Sequence, residues 1–169
     1  MEALGRLVDI SAGIVPLDLQ TARTGLRVGM KHSAGCMVVV FKGAGTAGDD
    51  PTFTLKQHTA YTGGTTANLA TIDHYYVKSE ATLDGDETWT RVAQAAAATI
   101  ADPGGAGTSA EEQQILVFHV EGVELADGYT HISVDAADVG TNAQLGAVLY
   151  FLYDLMVPRA PANLANPQT

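Results

Sequence analysis

Six residues between two strand-like runs carry a spacing that belongs to a known chemistry. Gly43-Ala44-Gly45-Thr46-Ala47-Gly48 reads G-x-G-x-x-G, the pattern with which a strand–turn–helix unit holds a dinucleotide pyrophosphate. That chemistry needs a helix to open at the last glycine, because free helix N–H groups and the helix dipole hold the phosphate. Here Asp49-Asp50-Pro51 follow, and then Thr52-Phe53-Thr54-Leu55-Lys56-Gln57, an alternating run with strand character. Two carboxylates at the loop exit repel a phosphate, and the Lys-Ser/Thr pair of a P-loop is missing. The stretch reads instead as a long, glycine-permitted turn between two antiparallel strands.

The remaining reactive side chains form no recognisable set. His32, His58, His74, His119 and His131 include no H-x-x-x-H pair, and Cys36 has no second cysteine. Four of the histidines (58, 74, 119 and 131) fall in predicted strands, where a cupin-like metal enzyme would gather them in space; a packed or surface histidine is the simpler expectation. Asp49-Asp50 and Asp84-Gly85-Asp86-Glu87 offer oxygen ligands for Ca²⁺ but lack the full calcium loop, and turn-forming Asp and Gly account for both. There is no G-x-S-x-G elbow, and no spacing picks out a carboxylate pair for glycoside cleavage. Tyr61, Tyr75, Tyr76, Trp89 and Tyr129 would make a carbohydrate platform if they shared a face, but cross-strand packing is the more economical use of them. No catalytic, cofactor-binding or metal-binding residue is assigned, and the expected function is not enzymatic.

The elements that would position these residues follow from composition and pattern. The chain has 169 residues, enough for one domain with a sizeable core. Only 17% of residues are charged, below the usual share of about 25%; a surface built from small residues suits a chain that covers itself with partners. Nineteen acidic against nine basic residues give a net charge of −10, which disfavours nucleic-acid backbones and anionic membranes. Cys36 lies in the apolar run Gly35-Cys36-Met37-Val38-Val39-Val40-Phe41 and is expected to be a buried, inert thiol. Residues 1–13 contain Glu2, Arg6 and Asp9 and no apolar signal-peptide core, and the longest apolar run, residues 145–156, is about half a membrane span and includes Asp154. A soluble protein made in a cytoplasm is expected.

Strands are predicted over residues 36–41, 52–59, 69–78, 88–93, 115–120, 129–135 and 145–153, with a short edge strand over 14–19 limited by Pro16. The 52–59 strand is expected to pair with 36–41 and to turn Phe53 and Leu55 inward. Residues 94–99 are alanine-rich and read as a helical turn, and Ser109-Ala110-Glu111-Glu112 matches a capping box. Glycine-rich turns separate these pieces, most strongly at Asp102-Pro103-Gly104-Gly105-Ala106-Gly107. The fold class is all-β: a single-domain β-sandwich, jelly-roll-like, over residues 14–157, with an N-terminal arm (1–13) and a Pro-rich C-terminal tail (158–169).

Four stretches stand out together: Ile14-Val15-Pro16-Leu17-Asp18-Leu19, residues 35–51 with the glycine loop at their centre, Ser109-Ala110-Glu111-Glu112-Gln113, and residues 137–146. Together they resemble a family of tailed-bacteriophage virion proteins of the kind encoded near the major capsid protein. No matching motif is catalytic. The resemblance implies a head decoration (cement) or minor capsid protein. Such a protein binds the major capsid protein on the capsid exterior, is assembled in the host cytoplasm, and acts as a homo-oligomer, a trimer being favoured. On that reading residues 1–15, 42–51 and 157–169 are the subunit contacts. The alternatives are another station on the virion (tail tube, neck or connector) and a carbohydrate-binding β-sandwich module.

Overall fold

A computed structural model describes residues 3–105 and 107–168. Met1 and Glu2 of the expected arm, Ala106 of the glycine-rich breaker and Thr169 of the tail lie outside the described residues. The runs read as strands become strands, and two sheets stack over one core. In chain order they are β1 (Val8–Asp18), β2 (Val28–Gly29), β3 (Ser33–Lys42), β4 (Thr52–His58), β5 (Thr66–Asn68), β6 (Ile72–Glu80), β7 (Thr90–Ala97), β8 (Thr99–Ala101), β9 (Gln113–Glu121), β10 (His131–Ala136) and β11 (Leu145–Leu155). One sheet runs β1-β11-β3-β9-β6-β7; the other runs β2-β10-β4-β5, with β8 also pairing β4. Every pairing between these strands is antiparallel. Without β6, β7 and β8, the remaining strands stand in the order first-eighth-third-sixth in one sheet and second-seventh-fourth-fifth in the other. That is the double Greek key of a jelly roll. The β6–β8 segment is an insertion that widens the first sheet beyond β9.

The core lies between the sheets. Cys36, Val38 and Val40 of β3, Leu116, Phe118 and Val120 of β9, and Val148, Tyr150 and Leu152 of β11 face Phe53 and Leu55 of β4 and Ile132 and Val134 of β10. Period-two alternation sets this inward face. Tyr150 ties the two layers with its polar tip: its hydroxyl donates to the Leu26 carbonyl (3.1 Å) and accepts the Val134 N–H (2.8 Å). Burial pushes its phenol well above the usual range. Cys36 is fully buried, and the same cause raises its thiol.

Several local expectations are corrected. The 52–59 strand does not pair with 36–41: β4 pairs β10, β5 and β8, while β3 pairs β11 and β9. The glycine loop crosses from one sheet to the other, so it is not a hairpin. The alanine-rich residues 94–99 stay extended as the end of β7 and the start of β8: pairing of Ala93 and Ala97 with β6 and of Thr99 with β4 holds both ends of a bulge at 94–96 against alanine's helical preference. No helix follows Ser109; its hydroxyl lies 2.8 Å from Asp50 and 2.7 Å from Asp102 carboxylate oxygens instead. Strand β1 begins at Val8, so residues 8–12, expected in the arm, pair along β11, and irregular register between Ala12 and Leu17 accommodates Pro16. The tail folds back onto the body, where the Arg159 N–H donates to the Gly5 carbonyl (2.7 Å) and the Gly29 N–H to the Pro167 carbonyl (2.6 Å).

Candidate functional site

The glycine loop is clasped by protein groups. The Gly43 and Gly45 amides, two of those a phosphate would need, donate to the carbonyls of Leu145 and Ala110, each at 2.7 Å. A Cβ on Gly45 would meet Gln144 Nε2 at 2.8 Å, so the close approach of Gln144 requires the glycine. Asp50 accepts the Ala110 N–H at 3.1 Å, and Asp49 accepts Asn142 Nδ2 at 3.2 Å. Asp18 accepts the Gln144 N–H at 3.0 Å. Lys42 is buried, and its ammonium donates to the Glu112 carbonyl at 2.5 Å; burial pulls its pKa down to about 8, against the pull of Glu112 and Asp50. The four stretches singled out in the sequence thus converge at one end of the sandwich and lock one another. The buried lysine was missed, since Lys42 closes an apolar run where a chain normally returns to solvent.

Among the described residues the histidines do not assemble. His58 spends both ring nitrogens on hydroxyls, Thr66 and Ser133, each at 2.8 Å. Burial, reinforced by Arg27, lowers its pKa to about 4. His131 pairs with Thr130, and His74 with Asp73. The one group of metal-capable side chains among the described residues is Glu80, Asp84, Asp86 and Glu87, whose ligand atoms lie within 4.8 Å of one another. Glu87 serves there as a turn lock, accepting the N–H groups of Asp84 (2.5 Å) and Gly85 (3.1 Å). The aromatic residues divide in the same way: Tyr75 lies in the core, Tyr61 leans toward His131, and only Tyr76 and Trp89 line one hollow.

The outer face of the six-stranded sheet is a different matter. In an antiparallel sheet with one solvated face, outward positions are ordinarily polar. Here residues that sit side by side across the strands form apolar rows. Ala12, Leu149, Val39, Val117 and Tyr76 make one row. Ile10, Phe151, Met37 and His119 make the next. Ala147, Phe41, Ile115 and Lys78 make the third. No carboxylate stands in these rows. Phe41 is 55% exposed, Leu145 65%, Ile10 46%, Leu149 40% and Trp89 50%. Strand spacing and rise give the patch roughly 19 Å by 14 Å between its outermost Cα positions. With Leu7, Leu145 and Trp89 at its margins it reaches the several hundred Å² that marks an interaction surface. Two hollows punctuate it, one lined by Met37, Val39, Tyr76, Trp89, Ile115 and Val117, the other by Leu7, Val8, Met37 and Phe151 with the polar residues His119, Glu121 and Tyr153.

This surface had a signal in the sequence. The β3, β9 and β11 runs are apolar at consecutive positions, the pattern of strands covered on both faces. The jelly roll covers one face only. No protein-family model, no curated protein and no solved structure matches the chain.

Proposed function

We propose that this protein is a non-enzymatic structural component of a tailed-phage virion, a head decoration protein that seats on the outside of the capsid and stabilises it. The observation that carries the reading is the apolar outer face of the β1-β11-β3-β9-β6 sheet, which a free monomer leaves in water. The resemblance of the clasped loop end to virion proteins supplies the station, and the major capsid protein is the partner. Three copies of the chain per contact site are expected. The acidic charge of −10 faces solvent more readily than packaged DNA. The sugar-binding alternative is weaker, because the Tyr76–Trp89 hollow offers a ligand only a phenol hydroxyl and an indole N–H.

The test is a comparison of particles with and without the protein. Particles lacking it should lose a regular surface density and leak their DNA at lower temperature or lower salt. Equal resistance and unchanged surface density overturn the proposal; a stoichiometry of six or twelve copies per particle moves the protein to the tail or neck.

A further inference from the structure

The insertion β6–β8 leaves one sheet edge open. Natural sheets blunt their edges with proline, bulges, lysine or very short strands. Strand β1 is blunted by Pro16 and by its register shifts, and β2 and β5 are two and three residues long. Strand β7 spans Thr90-Arg91-Val92-Ala93-Gln94-Ala95-Ala96-Ala97, with no proline and one charge; a register shift interrupts it at residues 94–96, and residues 90–93, the part beside a carboxylate-lined cleft, are in regular register with β6. It pairs only with β6, so among the described residues its outer row of N–H and C=O groups meets no other strand. Small side chains leave that row accessible.

Beside the edge lies an open cleft of about 470 Å³, lined by Thr90 and Val92 of β7 and by the carboxylates of Glu80, Asp86, Glu87 and Glu112. None of these four carboxylates is in an ion pair among the described residues. Arg91 is no counter-charge here: it pairs with Tyr76, whose side chain lies on the opposite, outer face. Side chains of a strand added to β7 would alternate between the two faces, so every second one would lie over the carboxylates.

We propose that the free edge of β7 accepts an added strand from a partner protein, an extended segment carrying Lys or Arg at alternate positions, with the basic side chains over the carboxylate cleft. Main-chain hydrogen bonds supply the attachment and the cleft sets which face the basic row takes. A second copy of this chain added antiparallel is the wrong occupant, because its one cation on β7, Arg91, stays on the outer face and away from the cleft. This goes beyond the apolar-face reading and stands without it.

The probe is a capped ten-residue peptide of alternating Lys and Val, titrated against the full chain with the fluorescence of Trp89, the residue just before β7, as the reporter. Saturable binding is expected, with a Glu/Val peptide inert. Glu80→Gln with Asp86→Asn, both at exposed positions, should weaken binding by about three- to tenfold, with the melting temperature checked alongside. Two further peptides, N-methylated at the Lys amides or at the Val amides, give the decisive readout. An added strand turns only one of those sets toward β7, so one peptide loses binding and the other keeps it. Equal binding by both methylated peptides, no effect of the double substitution, no binding at millimolar peptide, or a β7 edge already closed by a dimer that the peptide does not dissociate each overturns the proposal. If Phe41→Asp/Leu149→Asp loses the particle but binds the peptide, both readings stand. An inert peptide with particle binding intact removes this inference alone.

Discussion

Placing aspartates at Phe41 and Leu149 should separate folding from assembly. Both side chains point away from the core, on β3 and β11, and are 55% and 40% exposed. An aromatic side chain has about 200 Å² to bury, so covering the exposed part of Phe41 is worth about 3 kcal/mol at ~25 cal/mol/Å². The exposed part of Leu149 adds about 1 kcal/mol on the same scale. A loss of about 4 kcal/mol corresponds to roughly a thousandfold in affinity, and the desolvation of two carboxylates against an apolar partner can only increase it. The isolated chain gives up little, since these are solvent positions where the strand preference at stake is within about 1 kcal/mol. Co-sedimentation with particles stripped of the protein measures the affinity; thermal denaturation of the free chain measures the fold. Loss of co-sedimentation with a nearly unchanged melting temperature is expected. A double variant that binds particles as the parent does refutes the assignment of this face, and a variant that unfolds refutes the claim that the face is free in the monomer.

Three further outcomes follow from the interior. Tyr150→Phe leaves the Val134 N–H and the Leu26 carbonyl without the hydroxyl that joins the two sheets, and should cost about 1–3 kcal/mol in urea denaturation; a loss under about 0.5 kcal/mol would show that the bridge is not needed. His58 is held down to about 4 in the folded chain against 6.5 ordinarily, so between those values the unfolded state binds more protons and stability is lost as pH falls from 6.5 toward 4, by about 1–3 kcal/mol once solvent screening is allowed for. That difference should shrink in His58→Gln, whereas identical pH profiles for parent and variant would contradict it. Cys36, buried and with its thiol pushed up, should react with a disulfide reagent only after unfolding; native labelling at the rate of a free thiol would place it elsewhere.

The class of the fold was readable because strand signals are local. Val38, Val40, Leu116 and Val148 announce strands through β-branched and apolar runs, and the glycine-rich turns delimit them. Pairing was not readable in the same way. Whether the strand after the glycine loop returns beside β3 or crosses to the other sheet depends on β10 and β11, more than 70 residues later, and nothing within the loop encodes it. Alanine at 95–97 misled for a related reason: its helical preference is a few tenths of a kcal/mol per residue, too little to bend a segment whose two ends are held by distant strands, Ala97 by β6 and Thr99 by β4. The consecutive apolar runs were read as buried strands, which holds for one side of each. Their second side, Met37, Val39 and Phe41 among it, is where a monomer's burial and an assembly's burial part company.

The insertion ties that face to the open edge. Without β6–β8 the first sheet would end at β9, whose Ile115, Leu116, Val117 and Phe118 make an apolar edge of the kind that pairs indiscriminately. Pairing Lys78, Val77 and Tyr76 against Ile115, Leu116 and Val117 closes that edge as far as Val117 and carries the outer face on to Tyr76 and Trp89. The new edge, β7, is small and nearly uncharged, but it is reached past the carboxylates at 80 and 84–87. A negative approach repels a second copy of an acidic chain and admits a basic segment. One insertion therefore replaces an indiscriminate edge with a selective one while widening the apolar surface beside it. The two surfaces face different directions, one broad and flat and one a single strand wide, which a protein needs if it is to lie on a shell and also hold an extended arm of a neighbour.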